Sequence, residues 1–186
     1  MKKFELTTES KINIFGKELF RIKALISFGN VREGDTGGWV EKEENLSHSG
    51  NAWVYDNAEV CGNAWVRGDA EVCGNARVYD NVEVCGNAEV YGNARVYGGA
   101  EVCGNAEVCG NADYATIHGF GTQFRTTTFF RCKDKQVRVC CGCFFGTIPK
   151  FREQVNKTRE GKISEEYLMI ADLMEKHFTE ERESGE

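Results

Sequence analysis

Proline, histidine and long apolar runs are the features that this sequence lacks. Its 186 residues include one proline and three histidines, so few side chains of the type that most often serves as a general base are present. No run of 18 or more apolar residues occurs, which argues against a membrane-spanning helix. The chain turns polar at Lys2 and Lys3, too early for a secretory signal peptide. We therefore expect a cytoplasmic protein that does not cross a membrane.

An excess of positive charge is also missing. The formal net charge is -6 at pH 7, which argues against a protein that binds nucleic acids or acidic membranes in general. Nine cysteines occur in a chain without an export signal. In that setting, an odd number of cysteines predicts reduced thiols rather than a disulfide framework.

What the sequence has in plenty is glycine, with 21 residues, and many of these recur in a six-residue repeat such as CGNAEV-YGNARV. A small residue follows each repeated aliphatic residue after four positions, and a Gly-Asn or Asp-Asn pair lies between the two. Such pairs supply left-handed backbone dihedrals at low steric cost. The aliphatic positions are Val54, Val60, Val66, Val72, Val78, Val84, Val90, Val96, Val102 and Val108.

Each unit of this repeat predicts one short strand centred on its valine, followed by a corner. Side chains alternate along a strand, so the valine points inward and its neighbours point outward. A single unit cannot bury its valine, and we therefore expect the units to coil and stack. Glycine and asparagine every six residues argue against an α-helix. Strands of two or three residues would be marginal in an ordinary antiparallel sheet.

The spacing aliphatic-x-x-x-small-x resembles the hexapeptide repeat of left-handed parallel β-helix proteins, in which three units form one triangular coil. The similarity covers about eleven consecutive units. It implies that residues 18 apart stack on one face, and that the chain forms a homotrimer through one face. We expect that contact on the face of Glu59, Arg77, Arg95 and Asp113, because the charges of this face nearly balance. Tyr79 and Tyr97 lie beside them.

The phrasing GNAxVYGNAxV further resembles a group of hexapeptide-repeat proteins encoded by bacteriophages and prophages. In that group the solenoid is followed by a segment like Arg125-Thr-Thr-Thr-Phe-Phe130 and then by one like Cys141-Gly-Cys-Phe-Phe-Gly-Thr147. This resemblance implies a viral or prophage origin, and hence the cytosol of a host cell. It implies no settled biochemical role.

The flanks of the repeat differ from it in composition, so we divide this mainly β chain into five segments. We expect an N-terminal β cap because an open β-helix end would expose unpaired backbone groups. Thr147 and Pro149 suit the start of a helix. The segments are the β cap, the β-helix, a β-hairpin segment, two short C-terminal helices and a polar tail, assigned to 1–47, 48–117, 118–147, 148–178 and 179–186.

The best candidate for a binding site lies just after the repeat, in residues 119–138, which are basic within an acidic protein. Hydroxyl groups and an arginine fork suit a phosphate, and aromatic faces suit a base. A simpler interpretation is that the threonines only form a strand and that the charges only solvate a hairpin. The expected ligand-binding residues are Phe124, Arg125, Thr126, Thr127, Thr128, Arg131 and Arg138.

Catalysis and metal binding are less favoured. Many hexapeptide β-helix proteins are acyl-CoA-dependent acyltransferases whose general-base histidine lies in a loop that projects from the solenoid. Here the repeat is unbroken, and His48 and His118 lie at its two ends. The cysteines of 132–143 lack the paired CxxC spacing of a structural zinc site. We expect no catalytic residue, no metal and no cofactor.

The sequence thus predicts a non-enzymatic binding protein. The function that we favour is counteraction of host defence, either by sequestering a nucleotide-like signal or by blocking a host defence protein. An acyltransferase and a structural or scaffolding protein are the alternatives.

Overall fold

The computed structural model describes residues 1–179. They form a mainly β architecture with a parallel β-solenoid of about four turns, an antiparallel sheet behind it and two helices. Residues 180–186, which make up most of the expected polar tail, lie outside the described part. Within that part, no helix is long and apolar enough to span a membrane.

Three longer strands precede the repeat, namely β1 (Phe4–Ile12), β2 (Glu18–Ala24) and β3 (Thr36–Val40). Ten strands of two residues then follow the valine pattern. They are β4 (Trp53–Val54), β5 (Glu59–Val60), β6 (Trp65–Val66), β7 (Glu71–Val72), β8 (Arg77–Val78), β9 (Glu83–Val84), β10 (Glu89–Val90), β11 (Arg95–Val96), β12 (Glu101–Val102) and β13 (Glu107–Val108).

The stacking of the repeat strands confirms the predicted parallel β-helix with three units in each coil. Residues 18 apart pair in parallel, as in Val72 with Val90 and Val90 with Val108. Three sheets result, with the orders β13-β10-β7-β4, β12-β9-β6 and, as part of a larger sheet, β3-β5-β8-β11. The repeated valines are fully buried, because each points into the prism that the three sheets enclose.

The parallel ladder also reaches back before the repeat. Val40 of β3 pairs with Val60, and Leu46 forms a bridge with Val66. These partners are 20 residues apart rather than 18, because two extra residues separate Leu46 from Val54. The aliphatic residues are out of phase with the repeat there, which is why the sequence pattern alone does not reveal the first coil.

The corners of the solenoid need left-handed backbone, which glycine provides at most of them. Asp56 and Asp80 are exceptions, with φ of 52° and 64°. Each aspartate accepts a hydrogen bond from the backbone N–H of the glycine one coil later, over 3.1 Å at Gly74 and 3.4 Å at Gly98. Aspartate tolerates this conformation better than most residues, and here its carboxylate also links adjacent coils.

The N-terminal end of the solenoid is closed by a β-hairpin. Strands β1 and β2 pair antiparallel, and β2 continues onto β3. Phe4 and Ile22 are fully buried in the same cluster as the repeated valines. The hairpin therefore covers the first coil, as expected of a cap.

The C-terminal end is closed by a four-stranded antiparallel sheet rather than by a lone hairpin. Its strands are β14 (Tyr114–Phe120), β15 (Arg125–Arg131), β16 (Val137–Cys141) and β17 (Phe144–Thr147). The β15–β16 pair is the predicted hairpin. Phe130 is fully buried with the valines of the last coils, and Ala106 bridges to Cys132, so β15 seals the prism.

Two helices, α1 (Ile148–Thr158) and α2 (Gly161–Thr179), pack on the far side of this sheet. The Thr147 hydroxyl caps α1 by accepting a hydrogen bond from the backbone N–H of Lys150. Phe151 and Tyr167 join Phe129 in a second apolar cluster. The sheet thus lies between the solenoid and the helices, and one of its faces is directed at the last coils.

Candidate functional site

A pocket of about 630 Å³ opens where the last coils meet the C-terminal sheet. This volume falls within the usual range for small-molecule sites. One wall comes from the solenoid and the other from β14, β15 and the β16–β17 turn. The lining residues are Asn81, Gly98, Gly99, Glu101, His118, Arg125, Thr126 and Gly142.

The solenoid wall departs from the repeat at Gly99. Asn63 and Asn81 stack one coil apart, and the Asn63 side-chain amide donates to Asn81 Oδ1 over 3.1 Å. The next position in this column is Gly99, where most units have asparagine. A Cβ at Gly99 would lie 3.4 Å from Thr126 Oγ1. The missing side chain therefore allows β15 to come close, and the Asn81 side chain becomes part of the pocket wall.

Arg125 supplies the positive charge of the pocket. It begins β15, its side chain is exposed, and it lies against the β16–β17 turn. A Cβ at Gly142 in that turn would lie 2.7 Å from the Arg125 Nη1 atom. Gly142 also has a φ of 60°. Glycine at this position therefore allows the backbone conformation of the turn and leaves space for the Arg125 guanidinium.

His118 and Thr126 lie beside each other on β14 and β15. The His118 Nδ1 and Thr126 Oγ1 atoms are 3.3 Å apart, which is hydrogen-bond distance. The side chain of His118 is exposed and that of Thr126 is half-buried. The pair therefore places an imidazole ring and a hydroxyl group at the mouth of the pocket, where both can meet a ligand.

Glu101 is the acidic residue of the pocket, and its position is fixed from two sides. Its backbone N–H donates to Thr128 Oγ1 over 3.0 Å, and its Oε2 accepts from the Cys140 thiol over 3.0 Å. Burial and the hydrogen bond to Glu101 both raise the pKa of the Cys140 thiol. Cys140 therefore acts as a hydrogen-bond donor that orients Glu101, and it is not a reactive thiolate.

The structure places only two of the seven predicted ligand-binding residues in this pocket, namely Arg125 and Thr126. Thr127 and Thr128 are buried, with the Thr127 hydroxyl on Cys141 Sγ at 3.1 Å and the Thr128 hydroxyl on Glu101. Both threonines hold strands together, as the simpler interpretation of this segment proposed. That arrangement follows from strand alternation, which turns their side chains toward neighbouring elements.

The other three predicted residues lie outside the pocket lining. Phe124 is exposed in the turn before β15, with a φ of 50°. Arg131 donates from Nη2 to the Phe178 carbonyl over 2.9 Å and lies across the Phe178 ring. Arg138 pairs with Asp134 at 2.5 Å. The three arginines of 119–138 therefore lie in three different places, and Arg125 is the one that lines the pocket.

Asn81, Gly99, Glu101 and His118 are among the lining residues that were not assigned to the site from sequence. Only Gly99 left a signal, since YGGAEV departs from the prevailing Gly-Asn corner. His118 immediately precedes the segment that was chosen. The other two look like ordinary members of the repeat, and folding alone brings them to the pocket.

A second pocket of about 350 Å³ adjoins the first and shares Glu101 and Gly142 with it. The remaining lining residues of this second pocket are Arg67, Glu83, Cys103, Gly104, Cys140, Cys143, Phe144 and Phe145.

Within the described residues, no group of three or more His, Cys, Asp or Glu side chains is arranged to hold a metal ion.

Cys103, in the second pocket, forms a disulfide with Cys85. The 18-residue coil stacks these two cysteines side by side, with Cα atoms 4.7 Å apart. The expectation of nine reduced thiols therefore does not hold for this pair.

His48, at the other end of the solenoid, has a structural environment. Its Nδ1 accepts from the backbone N–H of Lys3 over 3.1 Å, and its Nε2 lies 2.6 Å from Glu43 Oε1. The ring also stacks on Phe4. Both ring nitrogens are thus engaged within the N-terminal cap, whereas His118 lines the pocket.

Comparisons with known proteins give a short similarity. No model of a known protein family matches the chain. An uncharacterized acetyltransferase, YdcK, from Escherichia coli (strain K12) is 32% identical over 63 residues. The match covers 30% of this chain and 19% of that protein. Together with the solenoid, this similarity fits a hexapeptide-repeat β-helix.

Proposed function

We propose that this chain is a binding protein that holds a small, phosphate-bearing, nucleotide-like anion in the pocket beside its last coils. The observation that carries the proposal is the convergence of Arg125, His118 and Thr126 on one pocket of about 630 Å³. A guanidinium fork can hold two phosphate oxygens at once. A hydroxyl and an imidazole add hydrogen-bonding groups to the same place.

The scaffold suits such a role because it is rigid where the pocket needs walls. The solenoid wall is built from stacked strands with fully buried valines, and Gly99 and Gly142 leave room that a larger side chain would fill. A preformed pocket loses less entropy on binding than a flexible one. We assign no catalytic residue, because the thiol that contacts Glu101 is that of Cys140, whose raised pKa keeps it protonated.

The biological part of the proposal is sequestration. A protein that holds a nucleotide-like signal lowers its free concentration, and so counteracts a host defence that depends on that signal. The support for this part is the sequence resemblance to prophage-encoded proteins. Blocking a host defence protein is the other form of the same proposal, and it would use the outer surface rather than the pocket.

The test is calorimetry of the full chain against inorganic phosphate, linear and cyclic nucleotides and acetyl-CoA. We expect nucleotide binding that Arg125→Glu weakens at least tenfold, since a charge-assisted contact contributes about 1.5 to 3 kcal/mol. The matched control is Lys135→Glu, which makes the same charge change at an exposed turn residue outside the pocket. Circular dichroism and light scattering check that both variants keep their fold and assembly.

Two results would count against the proposal. Equal losses in the Arg125→Glu and Lys135→Glu variants would show a general charge effect without a site. Absence of binding to every nucleotide in the panel would leave the pocket without the proposed ligand, and would favour a protein partner on the surface.

An acyltransferase is the second candidate, favoured by His118 in the pocket and by the similarity to an uncharacterized acetyltransferase. In that case His118 would act as the general base for an acceptor amine or hydroxyl group. Tight binding of acetyl-CoA, no binding of other nucleotides, and turnover that is lost in His118→Ala would overturn our ranking. Turnover that His118→Ala leaves unchanged would exclude this mechanism.

A further inference from the structure

The two adjoining pockets form one groove with chemically different ends. Glu101 and Gly142 line both of them, so the pockets meet at these residues. The larger end holds Arg125 together with His118 and Thr126. The smaller end is bordered by the rings of Phe144 and Phe145, and the ion pair of Arg67 with Glu83 lines its solenoid wall. A cationic end, a carboxylate at the junction and an aromatic end thus follow one another along the groove.

We propose that this groove is a ribonucleotide site, with the phosphate at Arg125, the ribose hydroxyls on Glu101 and the base against Phe145. The inference rests on the proposed function and extends it, since it names the ligand class and the part of the ligand that each residue contacts. It also selects ribonucleotides over deoxyribonucleotides, which the phosphate contact alone cannot do.

Glu101 carries the ribose assignment. A carboxylate inside a phosphate pocket repels the ligand unless the ligand also presents donors to it. Sugar hydroxyls are such donors, and acidic side chains bind the ribose of dinucleotides in the same way. The Cys140 thiol and the Thr128 hydroxyl hold Glu101 at the junction of the two pockets. A nucleotide with its phosphate at Arg125 and its base at Phe145 would place its sugar at that junction.

Phe145 carries the base assignment. It lies on β17 with 48% of its surface exposed, although it is a large apolar side chain. Its ring lies over the Gly104 corner, where an added Cβ would come within 2.6 Å of the ring. The Phe130 ring is 6.2 Å away. The ring is therefore supported by the solenoid while it remains accessible, which suits a stacking surface for a base.

The test compares ligands that lack one part each. The full chain is titrated with the four ribonucleoside 5′-monophosphates, and the tightest is compared with its 2′,3′-dideoxy form, with ribose 5-phosphate and with inorganic phosphate. We expect the dideoxy form and ribose 5-phosphate each to bind at least about tenfold more weakly than the ribonucleotide. Glu101→Gln should abolish the first difference, and Phe145→Leu the second.

Matched controls separate these effects from a disturbed fold. Phe124→Leu makes the same change at an exposed ring outside both pockets. Glu107→Gln changes the same repeat position one unit later, on another sheet of the solenoid. Both controls should preserve both differences. Because Glu101→Gln also removes a negative charge, inorganic phosphate should bind this variant at least as tightly as the parent.

The outcomes distinguish the two proposals. If ribose 5-phosphate and the dideoxy nucleotide bind as tightly as the ribonucleotide, and Arg125→Glu abolishes binding, then the phosphate pocket stands and the ribonucleotide assignment is wrong. If no phosphate compound binds, both proposals fail. If the differences persist in Glu101→Gln and Phe145→Leu, the nucleotide binds elsewhere and the groove assignment is overturned.

Discussion

At the scale of single residues, Lys3 shows how the carbonyl groups at the open end of the first coil are hydrogen-bonded. Its side chain is buried, and its ammonium group donates to the carbonyl oxygens of Gly50 at 3.3 Å and Ala52 at 2.8 Å. These carbonyls lie at the end of the solenoid, where no earlier coil is available to pair with them. The ammonium group also lies 4.6 Å from the centre of the Phe28 ring. A long cationic side chain therefore supplies the donors that another coil would otherwise provide.

The burial of Lys3 has a consequence for pH dependence. Desolvation lowers the pKa of its ammonium group from 10.5 to about 8, although the charge of Asp69 opposes the shift. Between about pH 8 and 10.5 the unfolded chain thus binds more protons at this site than the folded chain does. The free energy of unfolding should accordingly rise with pH across this window, by at most about 3 kcal/mol.

We predict that Lys3→Met removes this contribution. Denaturant unfolding of the parent and the variant at pH 7.5, 8.5 and 9.5 measures it, because cysteine and tyrosine titrations are common to both proteins and cancel in the difference. The parent should gain stability relative to Lys3→Met as the pH rises. A difference that stays constant with pH would show that the lysine keeps its ordinary pKa in the fold.

At the scale of elements, the coil register determines which substitutions are tolerated. Val90 is fully buried and pairs with Val72 and Val108. The adjacent Glu89 points outward and pairs with Lys133 at 2.6 Å, with both side chains substantially exposed. Neighbours in sequence thus have opposite environments, as a strand with two faces requires.

We therefore expect Val90→Asp to lower the free energy of unfolding by several kcal/mol, because an unpaired carboxylate would enter the apolar prism. Glu89→Gln should lower it by about 1 kcal/mol or less, since an exposed ion pair contributes little. Urea denaturation of the two variants measures the contrast. Similar stabilities for Val90→Asp and the parent would contradict the register.

The elements also show what sequence could and could not predict. The repeat predicted every parallel pair from Val54 to Val108, because spacing alone sets the register. It missed the first coil, where two extra residues before Val54 shift the phase. It also predicted a hairpin in place of a four-stranded sheet, because β14 continues the six-residue pattern at Tyr114 while pairing antiparallel.

The residues of the candidate site likewise divide into those that the sequence could predict and those that it could not. Arg125 and Thr126 could be selected because they lie in one short segment that is rich in polar and basic groups. Glu101 and Asn81 could not, since they occupy ordinary repeat positions and join the pocket only through contacts between distant segments. Local chemistry is visible in a sequence, whereas a pocket wall made by packing two modules together is not.

At the scale of the whole molecule, the surface available for self-association is smaller than the repeat suggests. The N-terminal hairpin packs against the solenoid face that carries Glu59, where Lys11 Nζ lies 2.7 Å from Glu59 Oε1. Phe15 packs against Tyr79 at 4.8 Å, and Tyr79 stacks on Tyr97 at 5.3 Å. The chain therefore already covers the start of the face that was expected to join subunits, and only its later part is open.

We predict that a homotrimer forms through this later part together with the tip of the hairpin. Tyr97 is 49% exposed and Phe15 48% exposed, and the ring of Tyr79 contacts both of them, so the three rings form one aromatic surface. Ile12 and Ile14 add exposed apolar area to the same tip. Burial of such a surface between copies is favourable because it removes apolar area from water.

Light scattering at micromolar concentration measures this assembly, and it should return three times the mass of one chain. The double variant Phe15→Asp with Tyr97→Asp should return the mass of a monomer while keeping the circular dichroism of the parent, since both side chains are half exposed in the isolated chain. The matched control is Met169→Asp with Leu173→Asp, which introduces the same charges at exposed apolar residues of α2. A monomeric parent would refute the trimer outright. A control that dissociates in place of the first variant would move the subunit contact from the solenoid face to the C-terminal helix.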